Sequence, residues 1–133
     1  MSVVSNLFRW TNPAGGNWSN GANWDRGGAL PDSTAHVQIA LSGTYAVNVD
    51  QNIDVASLLV GGGTGTRTMV GSARTVRTRT RIDLRTGGVA DLTGGSIQTR
   101  LVDLSGSSSL RLNGVSAQSD TIRTSSAAAL SIE

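Results

Sequence analysis

Residues 80–99 read TRIDLRTGGVADLTGGSIQT, and residues 100–119 read RLVDLSGSSSLRLNGVSAQS. Set one beneath the other, Ile82-Asp83-Leu84 falls on Val102-Asp103-Leu104, Asp91-Leu92 on Arg111-Leu112 and Gly94 on Gly114. Apolar positions return at an offset of 20 while the residues between them drift. A fixed period of this length is the mark of a chain that winds, each turn stacking on the last. The offset continues forward, placing Ile122-Arg123-Thr124 under Val102-Asp103-Leu104 and Ser131-Ile132 under Arg111-Leu112. Running backward it lengthens to 21: Val37 and Ile39 meet Leu58 and Val60, Val47 and Val49 meet Thr68 and Val70, and Val55 meets Val76. The step from Val60 to Leu84 is 24, which places an insertion near Arg77–Arg81.

Within each turn, apolar residues alternate, as in Val37/Ile39, Tyr45/Val47/Val49 and Ile53/Val55. Alternation at period two is the signature of a strand with one covered face. Glycine- and serine-rich stretches such as GGG, TGG and SGSS separate the runs and supply the turns. No segment carries a helical period with caps. The expected fold is all-β, a right-handed parallel β-helix (β-solenoid) of about five rungs with an N-terminal Trp-rich cap. Inward residues should pile into apolar columns about 4.8 Å apart. Two outward columns follow from the same alignment: Asp83, Asp103 and Arg123, and Asp91, Arg111 and Ser131. Asp83 above Asp103 needs a cationic neighbour such as Arg81 or Arg85, because like charges opposite each other repel.

The chain has 133 residues and no cysteine, so it is expected to form one domain without disulfide staples. All 11 basic residues are arginine, and the net charge is only +2, too small to imply nucleic acid as a partner. Six arginines lie between Arg67 and Arg85. Two readings stand for them: a local anion patch, or a solvated β-face with Arg at alternate positions. No apolar run approaches the length of a membrane span, so membrane insertion is not expected. The opening MSVVSNLFRW lacks the basic-then-apolar pattern of a secretion signal.

Residues 1–35 differ from the rest. Trp10, Trp18, Trp24 and the only phenylalanine, Phe8, fall there, among Gly and Asn. The expected division is an aromatic cap segment over 1–35 and solenoid rungs over 36–133, in one continuous domain. The three tryptophans either cover the open end of the first rung or offer ring faces to glycans. The run from Trp10 through GGNW and ANW to Leu30-Pro31, then HVQI and TYAVNVD, resembles the opening module of large bacterial surface proteins. These are β-helical exoproteins similar to autotransporter passengers and filamentous adhesins. The resemblance implies a structural or adhesive role at the cell surface or outside the cell. Two features depart from that pattern: such proteins run far longer, and their rungs seldom carry this much arginine.

Chemistry is sparse. His36 is the only histidine, too few for a zinc site or a well-supported triad, so no metal, cofactor or catalytic group is expected. Asp83, Asp103 and Arg123 could imitate the carboxylate-and-arginine face of a polysaccharide-acting β-helix enzyme, but five short rungs offer little concavity. The expectation is a non-enzyme. The chain closes on SSAAALSIE, within a rung, so its last coil is expected to be open and to accept another copy or more solenoid. Head-to-tail stacking would form a fibre, with Val3, Val4, Leu7 and Phe8 at one end meeting Leu130 and Ile132 at the other. A glycan-binding module built on Trp10, Trp18 and Trp24 is the rival.

Overall fold

A computed structural model describes residues 6–125 and 127–133. Val3 and Val4 lie outside the described residues. The chain forms twelve strands: β1 (Leu7–Arg9), β2 (Gly16–Asn17), β3 (His36–Ile39), β4 (Tyr45–Val49), β5 (Ile53–Val60), β6 (Arg67–Ser72), β7 (Thr75–Leu84), β8 (Gly88–Thr93), β9 (Ser96–Leu104), β10 (Ser109–Asn113), β11 (Ser116–Thr124) and β12 (Ala129–Ile132). The odd-numbered strands pair in chain order into one six-stranded parallel sheet, and the even-numbered strands into a second. Each coil therefore gives one strand to each sheet, and the two sheets enclose the core between them. The fold is a parallel β-solenoid of about five turns. The only helical element among the described residues is a single 3-10 turn, Gly21–Asn23.

The inward columns form as the period predicts. In the odd sheet, Phe8, Val37, Leu58, Ile82, Val102 and Ile122 pair in succession. Ile39, Val60, Leu84 and Leu104 form a second column beside it. In the even sheet, Val47, Met69, Ala90, Leu110 and Leu130 stack, as do Val49, Gly71, Leu92, Leu112 and Ile132. All these residues are buried until the last coil, where Ile122 and Leu130 become 38% exposed and Ile132 61%.

Two registers read from the alternation are corrected. Val47 and Val49 pair with Met69 and Gly71, not with Thr68 and Val70. Val55 pairs with Thr78, and Val76 pairs with Ile53. The inward face of β6 holds Arg67, Met69 and Gly71, so two of its three buried positions carry no apolar side chain. Val70, the apparent apolar position, points outward and is 38% exposed. Gly71 stands where a Cβ would lie 3.1 Å from Leu92 and 3.3 Å from Val49, so its lack of a side chain lets its two column neighbours close over it.

The lengthening of the period is also distributed differently from the single insertion expected near Arg77–Arg81. Ile39 and Val60 are 21 residues apart, Tyr45 and Arg67 22, Ile53 and Val76 23, and Val60 and Leu84 24. Three single-residue insertions produce this: one in the 61–66 turn, one in the 72–75 corner and one as a bulge in β7. At the bulge, Thr78-Arg79-Thr80 occupies the interval that Thr99-Arg100 fills in β9. Two of the insertions fall between strands, and the third is absorbed by the bulge, so that Val76 and Thr78 before it and Ile82 and Leu84 after it all stay inward. An unabsorbed one-residue slip would turn every following inward side chain outward.

Arg67 is the exception inside. It is fully buried, in a column between Tyr45 and Gly88. Its guanidinium donates to the carbonyls of Gly63 and Thr86 at 3.2 and 3.0 Å, to Gly65 at 3.3 Å and to Thr64 at 2.5 Å. A buried cation is tolerable only when it is hydrogen-bonded. The GGGTGT turn and Thr86 supply carbonyls to both terminal nitrogens of Arg67, while its Nε has no partner among the described residues. Of the arginines in the 67–85 group, this one is not on a solvated face.

The columns make a direct prediction for stability. Leu104 is fully buried in the middle of the stack, so Leu104→Ala should cost about 2–5 kcal/mol in urea unfolding. Ile122→Ala, on the half-open last coil, should cost less than about half of that.

Candidate functional site

The two ends of the solenoid differ in how their backbone is satisfied. In the first coil, β1 and β2 are only three and two residues long. The segment Asn23–Arg26 crosses back over β1 antiparallel, with a bridge between Trp10 and Trp24. Thr11 N donates to Asn23 O at 2.8 Å, and Asp25 N to Arg9 O at 3.1 Å. Arg9 N in turn donates to the Asp25 carboxylate at 2.9 Å, and the Arg26 guanidinium donates to Leu7 O at 3.0 Å. At β2, Asn17 O accepts from the Asn23 side chain and from Asn20 N. The outer edge of the first coil is therefore occupied by the protein's own groups.

The aromatic residues fill the space beneath this strap. Trp10, Trp18 and Trp24 are 2%, 1% and 4% exposed. Trp24 meets Trp18 and Trp10 edge to face, with ring centroids 4.8 and 5.1 Å apart, and Trp10 stacks parallel to Tyr45 at 6.4 Å. The Trp10 and Trp24 indole N–H groups donate to Asn12 O and Trp18 O. With their rings covered, the three tryptophans have no free face to lay on a sugar. Residues 6–35 also supply the first strand of both sheets, so this segment is a coil with its own lid, continuous with the rungs that follow.

Asp50 fastens that coil to the next. Ser19 N donates to its carboxylate at 3.0 Å and Ser19 Oγ donates to the other oxygen, while Asn48 donates to Asn17 at 3.0 Å. Partial burial works against the Asp50 charge, but the two bonds from Ser19 outweigh it and hold the carboxyl below its ordinary value of 3.8. Asp32, fully exposed, is held low by the Thr34 hydroxyl and N–H, with help from Asn6.

The opposite end is open. Among the described residues no strand lies beyond β11 or β12. Of the residues expected to mediate stacking, Leu130 and Ile132 lie on this last coil and are exposed. At the other end Leu7 is half-buried with its carbonyl taken by Arg26, and Phe8 is buried under the same guanidinium, whose carbon lies 5.0 Å from the ring centre. Phe8 is thus a core residue and is removed from the set of contact candidates.

The outer face of the odd sheet carries the remaining polar groups. Asp83, Asp103 and Arg123 share a column, as the alignment requires. Arg81 bridges the two carboxylates, 2.5 Å from Asp83 and 3.2 Å from Asp103, and Arg123 approaches Asp103 at 3.4 Å. The Asp83 carboxylate in turn holds the Arg81 guanidinium above its usual range. In the second outward column Arg111 shares its position with Asp91, but its ion pair is with Glu133 at 3.7 Å. Further along the odd sheet, His36 Nδ1 lies 2.6 Å from Ser57 Oγ in a shallow groove of about 380 Å³ that also borders Leu7, Leu59 and Arg81. Among the described residues no carboxylate bonds to the imidazole, so nothing orients it as a base for Ser57. Nor do three or more His, Asp or Glu side chains gather there in a way that could hold a metal ion.

Sequence reasoning missed the strap formed by Asp25 and Arg26 and the Asp50 clamp. Both lie in short polar turns whose partners are 16 to 31 residues away, and only the Asn- and Asp-rich composition of the turns hinted at them. No family model, curated protein or solved structure matches this chain.

The lowered carboxyls predict the acid limit of the fold. The folded chain holds these protons less tightly than the unfolded chain, so the stabilisation is full above about pH 4 and drains away as pH falls through the folded values. The melting temperature followed by circular dichroism should fall below about pH 4. Asp50→Asn should lower it at pH 7 and flatten that acid limb.

Proposed function

We propose that this chain is a non-enzymatic structural segment of a solenoid, closed by its aromatic end and cohesive at the other. One observation carries the reading, the asymmetry of the ends. The outer edge of β1 is bonded to Asn23–Arg26, whereas the last coil carries half-open Ile122, Leu130 and Ile132 over unpaired strand edges. Open parallel edges beside exposed apolar columns favour the addition of further coils. Those coils come from more of the same polypeptide or from a second copy. The Trp-, Asn- and Gly-rich opening supports placing the segment in an extracellular, adhesin-like protein of a bacterial surface, through its resemblance to the β-helical exoproteins. The covered first coil weighs against a head-to-tail fibre, which needs two free ends. Association through one end alone stops at a pair.

Size-exclusion chromatography with light scattering, backed by negative-stain images, tests this. The expected result is a concentration-dependent dimer without filaments, shifted to monomer by Leu130→Glu with Ile132→Glu. Filaments would overturn the closed-end reading. A strict monomer at high concentration would remove self-association and leave the end to further coils of the same polypeptide.

A further inference from the structure

The bulge in β7 builds a feature that the rest of the solenoid does not repeat. Its extra residue leaves Arg77 and Arg79 outward on either side of buried Thr78. Arg100, on β9, is outward beside them. These three guanidinium groups, with Gln98, border one open groove of about 370 Å³ whose floor is Thr78 and Thr99. The two threonine hydroxyls bond to each other at 2.5 Å and so fix the floor. Arg79 is engaged by Asp54 at 3.1 Å, in a pair about half exposed on each side. Among the described residues, neither Arg77 nor Arg100 has a carboxylate within 4.0 Å. Asp120, on β11, follows the residue that pairs with Thr99 and so lies near Arg100 without bonding to it. Elsewhere on this face the stack places Arg beside Asp, as at Arg81, Asp83, Asp103 and Arg123. At the bulge Arg77 stands in register between Asp54 and Gln98, but the Asp54 carboxylate is bonded to Arg79. Three arginines thus border the groove with one carboxylate among the described residues within 4.0 Å of any of them, a surplus of positive charge that an anion would offset.

We propose that this groove binds the oxyanions of an acidic polysaccharide, with Arg77 and Arg100 as the free guanidinium arms and Gln98 as a neutral donor beside them. A guanidinium grips a carboxylate or sulfate through two parallel N–H bonds. The arms are offset by about 7 Å along the strands and about 4.8 Å across them, so a polymer with repeated anionic groups can engage both. The groove is open and shallow, which suits a chain laid across it more than a small molecule enclosed in it. Nucleic acid is the less fitting polyanion. Single strands are held by stacking bases on aromatic rings, and Phe8, Tyr45 and all three tryptophans are buried. The site is separate from the open end and does not depend on what covers that end.

The test uses the 133-residue chain and four immobilised probes: heparin, polygalacturonate, neutral dextran and a single-stranded oligonucleotide. Binding to heparin or polygalacturonate, weakening as salt rises, is expected, and the preferred one tells sulfate from carboxylate. Arg77→Gln with Arg100→Gln should weaken it at least tenfold, while Arg9→Gln with Arg111→Gln, which removes the same charge at positions that do not border the groove, should change it less than twofold. Both pairs are exposed, and unchanged melting curves confirm that the fold survives. No binding to either acidic glycan, equal losses in the two double variants, or binding to dextran would overturn the proposal. So would oligonucleotide binding as tight as that of the glycans.

Discussion

Every feature of this protein depends on one constraint: a residue and its equivalent one coil later lie directly above each other, about 4.8 Å apart. The core is then a set of vertical columns, and a side chain is acceptable if its column neighbours fit it. Val102 is satisfied by Ile82 below and Ile122 above. Gly71 is acceptable inside because Val49 and Leu92 close over it. Arg67 is acceptable because its guanidinium reaches four carbonyls and because Gly87, where a Cβ would lie 3.0 Å from that group, leaves it room. The same rule acts on the outer face, where Arg81 serves carboxylates from its own coil and the next.

A stack also has ends, and the constraint says nothing about them. The first coil settles its end by local means. Two short strands leave few backbone groups to satisfy, and Asn23, Asp25 and Arg26 satisfy them with both main-chain and side-chain bonds. Trp24, carried on the strap, packs edge to face on Trp10 and Trp18 of the coil beneath it. The bond from Trp24 Nε1 to Trp18 O lets an indole be buried without an orphaned N–H. The last coil uses the same column residues as the interior, and its apolar side chains therefore stay half open.

Much of the architecture was legible because the repeat and the alternation are two independent signals that agree. Residues 80–132 could be placed rung by rung, including the Asp83, Asp103, Arg123 column. The earlier rungs were harder to read. In β6 the inward positions are Arg67, Met69 and Gly71, and alternation of apolar residues fails when a column is filled by a buried cation and a glycine. The period also drifted by single residues at three places, a turn, a corner and a bulge, which a search for one insertion cannot resolve. The candidate sites were less legible again. Whether Trp10, Trp18 and Trp24 are covered depends on a strap whose partners are distant in sequence. Whether an arginine in the 67–85 group is buried or paired depends on the phase of its strand, inward for Arg67 on β6, and on where it falls relative to the β7 bulge.

The lid on the first coil has a bearing on how the protein comes into being. Polypeptides emerge from the ribosome amino end first, so Phe8, the three tryptophans and the Asn23–Arg26 strap are available before any later rung has been made. Once β3 and β4 have paired with β1 and β2, a covered base is ready for each arriving segment, and winding becomes a templated, one-directional process with a single growing front. Reversing the order, with the lid arriving last, would leave two sticky fronts exposed throughout synthesis and double the opportunities for mispairing between neighbouring nascent chains.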